Sequence, residues 1–181
     1  MAPTAGPAGS VRPARPQEAA EVAVLQAGAW REAYGDLLPP AALDPAALAP
    51  SWTAAVEHPP TPRHRVLVAL DAPGVVGFAA AAPAEDADLD PGAAAELLAL
   101  AVAPEHRRAG HGSRLLQAAA DLARDDGTQA LVCWVGEHEA LLAAFLAGAG
   151  WAQDGARRSL DAGSGAPLPQ RRWTTRLGQG G

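Results

Sequence analysis

The residues whose types and spacing suit chemistry lie in one stretch, residues 102–113, which reads Val-Ala-Pro-Glu-His-Arg-Arg-Ala-Gly-His-Gly-Ser. Gly110 and Gly112 let the main chain approach a ligand closely, and a helix start presents free N–H groups and a positive dipole end. Arg107 and Arg108 add positive charge beside them. The pattern predicts a diphosphate site, although a tight turn before a helix with solvated arginines has the same composition.

Two common nucleotide-binding motifs do not fit this stretch. It contains no Gly-Lys-Ser/Thr for a P-loop, and it lacks the Rossmann glycine spacing with a distant acidic residue. A nucleotide-binding protein of another fold stays open as an alternative, and protection of the protein by ATP or NAD would indicate it.

A strand and a helix are predicted to position this loop. Residues 96–102 form an apolar run that Pro104 ends, which is typical of a central strand. Residues 113–124 place leucine and alanine on one helical face. We therefore expect the loop to lie between the end of a central strand and the start of an amphipathic helix.

The remaining segments alternate between strand and helix patterns. Strands are predicted near residue 11 and at residues 65–70, 75–82, 131–135, 156–161 and 171–177; helices are predicted from Pro16 to Tyr34, at 52–57 and from Leu141 to Ala149. Residues 85–90 predict a solvated acidic loop. Solvated charges on edge strands are predicted for Arg157, Arg158, Arg171 and Arg172. The order of elements indicates the α/β class, with a mixed sheet and helices on both faces.

Length and composition predict one globular domain, residues 11–178, after a tail of residues 1–10 that is rich in proline, glycine and alanine. The net charge of -6 argues against nucleic-acid binding, which needs clustered basic groups. No apolar stretch approaches the roughly 18 residues of a membrane helix, and no signal pattern is visible. We therefore expect a cytoplasmic protein without a membrane partner.

Cysteine and histidine predict neither a disulfide nor a metal centre. The single Cys133 shares a strand face with Leu131 and Val135, which favours a core residue over an acyl-carrying nucleophile. The five histidines show no metal-ligand spacing with acidic or cysteine partners, so no metal is predicted.

The pattern Val102-x-Pro104-Glu105-x-Arg107-x-x-Gly110-x-Gly112 resembles motif A of the GNAT acetyltransferases, whose loop binds the pyrophosphate of coenzyme A. Motif B of the same family is similar to the segment that contains Trp134, Phe145, Gly150 and Trp151. A first-helix signature of one large subgroup is similar to the segment from Trp30 to Pro39. The resemblance covers nearly the whole of residues 11–177.

The resemblance implies a single-domain GNAT fold, with a mixed sheet of about seven strands whose two central parallel strands splay apart. The cofactor implied is acetyl-coenzyme A. Its pantetheine arm would pair with Leu100, Ala101 and Val102, and its pyrophosphate would be bound by Arg107, Arg108, Ala109, Gly110, His111, Gly112 and Ser113. The acceptor would be a small-molecule or peptide amine. Trp30 and Tyr34 would either line its pocket or anchor the core.

Glu96 is the predicted catalytic base, because family members often carry a glutamate in this strand and Leu97 and Leu98 would raise its pKa by desolvation. The alternative is an exposed glutamate at a strand start. Leu146 stands where many members have a tyrosine that protonates the departing thiolate, and Glu139 stands where motif B often has asparagine. A non-catalytic sensor or interaction module that binds coenzyme A is therefore a second hypothesis. The oligomeric state stays open, a homodimer included.

Overall fold

The computed structural model describes residues 9–72, 74–161, 163 and 165–178. Its strands are β1 (Ser10–Pro13), β2 (Arg65–Asp71), β3 (Gly74–Pro83), β4 (Ala94–Val102), β5 (Ala130–Gly136), β6 (Ala152–Asp161) and β7 (Pro167–Arg176). The α-helices are α1 (Ala19–Tyr34), α2 (Pro45–Glu57), α3 (His111–Asp125) and α4 (Ala140–Gly148). Residues 1–8 of the predicted tail lie outside the described residues, whereas Ser10 already belongs to β1.

The strands form one seven-stranded sheet in the order β1-β2-β3-β4-β5-β7-β6. Every neighbouring pair is antiparallel except β4 and β5, which are parallel. This arrangement confirms the predicted α/β fold with a mixed sheet of seven strands. Because β7 lies between β5 and β6, β6 forms the edge of the sheet and β7 is an interior strand.

The two parallel strands separate soon after they meet. β4 and β5 are paired only from Ala94 and Ala130 to Glu96 and Val132. Beyond Glu96, β4 stays paired with β3 as far as Val102, whereas β5 stays paired with β7 as far as Gly136. The predicted splay of the central strands is therefore confirmed, and it begins at Glu96.

A β-bulge in β4 lies next to the point of separation. Ala99 pairs with Ala80 and Leu97 pairs with Ala81, so Leu98 is the extra residue and its side chain is exposed. The extra residue changes which face the following side chains occupy, as bulges do. Leu97 and Leu100 therefore both face the cluster under α3 and α4, whereas Ala99 faces the cluster under α1 and α2.

Helices cover both faces of the sheet. α3 and α4 pack on one face, where Leu115, Leu146 and Trp151 join a large buried cluster. α1 and α2 pack on the other face, where Val22 and Phe78 form the centre of a smaller cluster. Among the residues that the structure describes, no helix is both long and apolar enough to cross a membrane.

Helix α2 is longer than the predicted segment of residues 52–57. Asp44 accepts a hydrogen bond from the backbone N–H of Ala46, and Pro45 occupies the first turn, where its missing N–H removes no helical bond. Pro50 lies inside the helix without ending it. The prediction placed the start too late because it treated each proline in this segment as a breaker.

The prediction of a solvated charge is wrong for Arg172, whereas the acidic loop of residues 85–90 is largely exposed as predicted, with Asp86 the exception among its acidic residues. Arg172 lies in β7, inside the sheet, and its side chain is only 5% exposed. The guanidinium donates to the carboxylates of Asp86, Asp88 and Asp154 over 2.5–3.1 Å. One buried cation therefore ties the acidic loop and β6 to the centre of the sheet.

We expect Arg172→Met to lower the free energy of unfolding by about 3 kcal/mol, because it leaves Asp86 and Asp154 partly buried without their cation. The matched control is Arg171→Met at the preceding position of the same strand. Arg171 pairs with Glu137 over 3.4 Å and both side chains are well exposed, so its loss should be below about 1 kcal/mol. Urea unfolding measures both variants, and equal losses would contradict the structural role given to Arg172.

Candidate functional site

The splay of β4 and β5 opens a cavity of about 400 Å³ between α1 and the strands. Trp30 and Tyr34 line it from α1, Glu96 and Leu98 from β4, and Trp134 from β5. This volume lies within the range of pockets that bind small molecules. The structure thus brings together three residues that the sequence analysis assigned to catalysis and acceptor binding: Glu96, Trp30 and Tyr34.

Glu96 is a buried carboxyl at the apex of the splay. It is 9% exposed, so the alternative of an exposed glutamate at a strand start is wrong. Burial raises its pKa above the ordinary value; the charge of Arg158 lowers it, and the charge of Asp86 raises it again. A carboxyl in this position can accept a proton inside the cavity, because Glu96 lines the cavity where the pairing of β4 with β5 ends.

Trp30 and Tyr34 differ in how far they enter the cavity wall. Trp30 is half-buried and lines the cavity, whereas Tyr34 is buried and packs edge-on against His138. The Tyr34 hydroxyl lies against Gly136, where any Cβ would collide with it. Burial and then the charge of Glu139 raise the pKa of Tyr34 above its ordinary value, so its hydroxyl keeps its proton.

The open edge of β4 fits an added strand of polar groups. Beyond Glu96 the strand is hydrogen-bonded only to β3, and in an antiparallel pair alternate residues turn both backbone groups to the partner strand. The N–H of Ala103 bonds to the carbonyl of Val76, so the backbone groups of Ala101 face β3 and those of Leu100 and Val102 face the splay. The carbonyl of Val102 already accepts a hydrogen bond from Arg107 Nε at 3.1 Å. The geometry therefore suits pantetheine pairing at Leu100 and at the N–H of Val102 more directly than at Ala101.

The arginine pair before the glycines is arranged asymmetrically. Arg107 donates through both terminal nitrogens to the carboxylate of Glu32 in α1, over 2.6 and 3.0 Å. The side chain of Arg108 is exposed, and its φ of 63° is in the left-handed region. Arg107 thus fixes the loop to α1, and a contact of either side chain with pyrophosphate stays a prediction.

The glycines shape the start of α3 in different ways. Gly110 has a φ of 81° and immediately precedes the helix, a conformation that favours glycine. A Cβ on Gly112 would lie 3.4 Å from the ring of Phe145 and 3.8 Å from Val102. Gly112 therefore lets the helix start pack closely on α4 and β4. Ala109 and Ser113 are exposed beside this first turn, whose leading N–H groups have no acceptor within the helix.

The side chain of His111 points into the protein, so only its backbone can belong to the predicted cofactor loop. It is 2% exposed, and its Nε2 lies 3.3 Å from the carboxylate of Asp71, with His106 on the other side of that carboxylate. The ligand atoms of these three residues lie within 4.8 Å of one another, a grouping that the sequence spacing did not indicate. Arg114 can only donate to Nδ1 of His111, whereas the buried Nε2 has no well-directed hydrogen bond among the described residues.

Leu146 cannot act on a ligand in the cavity. It is fully buried in the core cluster beside α3. From this part of the chain the cavity is lined by Leu142 in α4 and by Glu139, which precedes the helix. Glu139 accepts the backbone N–H of Gly136 at 2.6 Å. Cys133 is buried in the same core cluster, and burial raises the pKa of its thiol, which agrees with the predicted core role.

Four polar residues of the described cavity wall were not predicted as site residues: Gln26, Arg158, Asp161 and Gln170. Arg158 and Gln170, on the neighbouring strands β6 and β7, both line the cavity. Arg158 was predicted as a solvated edge charge. The signal that could have found it is weak, because an arginine in an exposed edge strand has the same pattern whether or not its end turns over the sheet.

The comparisons agree with this fold. The family model described as Acetyltransferase (GNAT) family matches residues 27–151, which is more than half of the chain. The chain therefore belongs to the GNAT acetyltransferase family. No curated protein sequence matches it significantly.

Solved structures resemble the chain along nearly its full length. A GCN5-related N-acetyltransferase from Rhodopseudomonas palustris has a TM-score of 0.71 at 20% identity, covering 96% of this chain and 99% of that one. The yncA protein of Salmonella typhimurium, solved with its cofactor acetyl-CoA, has a TM-score of 0.69 at 18% identity, covering 96% of each chain. A ribosomal-protein-alanine N-acetyltransferase from Brucella melitensis has 0.70 at 18%, covering 93% and 99%. At these identities the likeness shows the fold.

Proposed function

We propose that the protein transfers an acetyl group from acetyl-coenzyme A to an amine by direct attack in a ternary complex, with Glu96 as the base. The observation that carries this proposal is the position of Glu96, a buried carboxyl at the apex of the splay and in the wall of the cavity. Membership of the GNAT family and the acetyl-CoA in the similar yncA structure support the choice of acyl donor.

The residues fit such a donor at two places. The unpaired edge of β4 at Leu100 and Val102 offers backbone groups to the two amides of a pantetheine arm. The loop from Arg107 to Ser113 offers the free N–H groups and the positive end of α3 to a pyrophosphate. The thioester of acetyl-coenzyme A, when bound, would supply an activated carbonyl. The protein would position this carbonyl and accept the proton of the amine.

Glu96 addresses the main difficulty of the reaction. A primary amine with a pKa near 10.4 is neutral only about once in 2,500 molecules at pH 7, a handicap of roughly 4–5 kcal/mol. A deprotonated Glu96 in a desolvated cavity would take that proton, and its raised pKa makes it a stronger base than an exposed carboxylate. Its residence in β4 places it on the strand that would also hold the donor.

The leaving thiolate receives no proton from the position where many family members carry tyrosine. Leu146 has no acidic proton and lies in the core, so the thiolate would leave unprotonated or take a proton from water. A thiolate with a pKa near 8.5 is a tolerable leaving group. Because Leu146 replaces the usual proton donor, a non-catalytic module that binds coenzyme A is the second candidate function. Turnover of acetyl-coenzyme A with any amine would exclude this second candidate.

Binding of the acyl donor is tested by thermal unfolding. We expect coenzyme A or acetyl-coenzyme A at about 100 times its dissociation constant to add roughly 2.7 kcal/mol to the stability, a rise of about 5–10 °C in Tm. ATP and NAD at the same concentration should give no comparable rise. An unchanged Tm at millimolar coenzyme A in a well-folded sample would overturn the proposed function.

A further inference from the structure

Arg158 is a positioned cation in the wall of the cavity. Its guanidinium carbon lies 4.4 Å from the ring centre of Trp134, and its Nε donates to Gln170 Oε1 at 2.7 Å. Gln170 is buried, and Trp134 is itself held by a hydrogen bond of 3.1 Å from its indole N–H to Asp86. These contacts orient the guanidinium, although Arg158 as a whole is an exposed residue of β6.

The terminal nitrogens of Arg158 have no protein partner among the described residues. The other two arginines near the cavity are paired with carboxylates: Arg107 with Glu32, and Arg172 with three aspartates. Arg158 forms no ion pair within the described part of the chain, although Asp161 and Glu96 line the same cavity. Among the described lining residues it is the one cation.

A ligand that fills this cavity must satisfy Arg158 or leave it unpaired. Filling the cavity removes water from the terminal N–H groups, and an unpaired charged donor is costly in a desolvated site. A guanidinium presents its donors as a planar fork that matches the two oxygens of a carboxylate. A plain alkylamine brings no such oxygens, whereas an amino acid brings a carboxylate together with its amine.

We propose that the acceptor is a small amine that also carries a carboxylate, as an amino acid does, and that Arg158 binds this carboxylate while the amine faces Glu96. This inference rests on the proposed acetyl transfer. It assigns Arg158 to substrate selection, with Trp134 and Gln170 as the residues that position it. The carboxylate of Glu96 on β4, which lines the same cavity, suits the amine end of the same molecule.

The test is a comparison of matched acceptor pairs. Consumption of acetyl-coenzyme A is measured with L-amino acids and their α-carboxamides, and with ω-amino acids and the alkylamines of the same length. We expect at least one acid to exceed its neutral partner by about 30–300-fold in kcat/KM, since one lost charge pair in a desolvated site changes binding by this order. Equal use of acids and neutral partners would overturn the inference.

Arg158→Met then identifies the residue responsible. It should lower kcat/KM for the preferred acid by about 30–300-fold and that for the matched neutral amine far less, so that the preference collapses. The control is Arg157→Met, since Arg157 is exposed on the same strand and does not line the cavity. A preference retained in Arg158→Met, with coenzyme A binding intact, would also overturn the inference.

The outcomes separate the two proposals. Turnover with neutral amines and no preference for acids keeps acetyl transfer and removes the role of Arg158. Tight binding of coenzyme A without turnover of any acid or neutral amine contradicts the acetyl transfer itself, and the inference fails with it.

Discussion

Glu96→Gln is expected to lower turnover by about 10²–10⁴-fold while the affinity for coenzyme A stays close to that of the wild type. The glutamine keeps the shape of the side chain in its buried position but cannot accept the proton of the amine. Steady-state kinetics gives the loss of rate, and calorimetric titration with coenzyme A gives the affinity. Near-wild-type turnover of Glu96→Gln at neutral pH would remove Glu96 from the mechanism.

The pH profile gives a second readout of the same residue. Burial raises the pKa of Glu96, so the carboxyl stays protonated to a higher pH than an exposed carboxyl, whose pKa is about 4.3. As the pH falls through this raised pKa, the wild-type enzyme loses its base in addition to losing neutral amine. Glu96→Gln should lose only neutral amine on acidification, and raising the pH should partly recover its rate.

Glu139→Gln is the matched control for the base. Glu139 also lines the cavity, but its carboxylate accepts the backbone N–H of Gly136 ahead of α4, an interaction that a glutamine oxygen can replace. We expect a loss of turnover below about tenfold, much smaller than for Glu96→Gln. The opposite order of effects would assign the base to Glu139 instead.

Gly112→Val should weaken coenzyme A binding by about 100-fold or more. The added Cβ would contact Phe145 at 3.4 Å, and the two further methyl groups would have to displace the start of α3 from α4 and β4. Loss of two charge-assisted hydrogen bonds to the pyrophosphate, about 1.5 kcal/mol each, corresponds to this factor. Calorimetric titration measures the affinity.

Two further variants make the result specific. Gly112→Ala adds only the Cβ, which fits at van der Waals distance, so its affinity should stay within about tenfold of the wild type. Gly28→Val makes the same change in α1, where a Cβ meets nothing within 4 Å, and should bind coenzyme A normally. Normal binding by Gly112→Val would show that the pyrophosphate site lies elsewhere. Gly110→Val is less informative, since its φ of 81° adds backbone strain of about 1–2 kcal/mol.

The parts of the fold that depend on local pattern could be predicted from the sequence. The apolar run of β4, the glycine pair and the amphipathic α3 are adjacent along the chain, so their relation in space follows from their order. The splay and the role of Glu96 came from family resemblance rather than from periodicity. The structure adds the pairing with β5 that ends at Glu96 and the bulge against β3 at Leu98, both of which depend on partner strands elsewhere in the chain.

The contacts that the sequence did not reveal are made with partners distant in sequence. Arg107 meets Glu32 across 75 residues, and Arg172 meets Asp86 across 86 residues. A charged residue in an alternating strand is usually solvated, and only the insertion of β7 inside the sheet makes Arg172 a buried residue. The orientation of Arg158 depends in the same way on Trp134, which the sequence analysis assigned to a different motif.

The place of β7 in the sheet has a consequence for synthesis on the ribosome. β5 ends at Gly136 and its neighbour β7 ends at Arg176, so about 40 residues must be added before β5 gains its second partner. At roughly 5–20 residues per second this takes about 2–8 s. Throughout that interval the nascent chain presents an apolar strand with an unpaired edge, the feature that promotes aggregation and chaperone binding. Rare codons or stalling between β5 and β7 should therefore lower the yield of folded protein more than the same delay placed before β5.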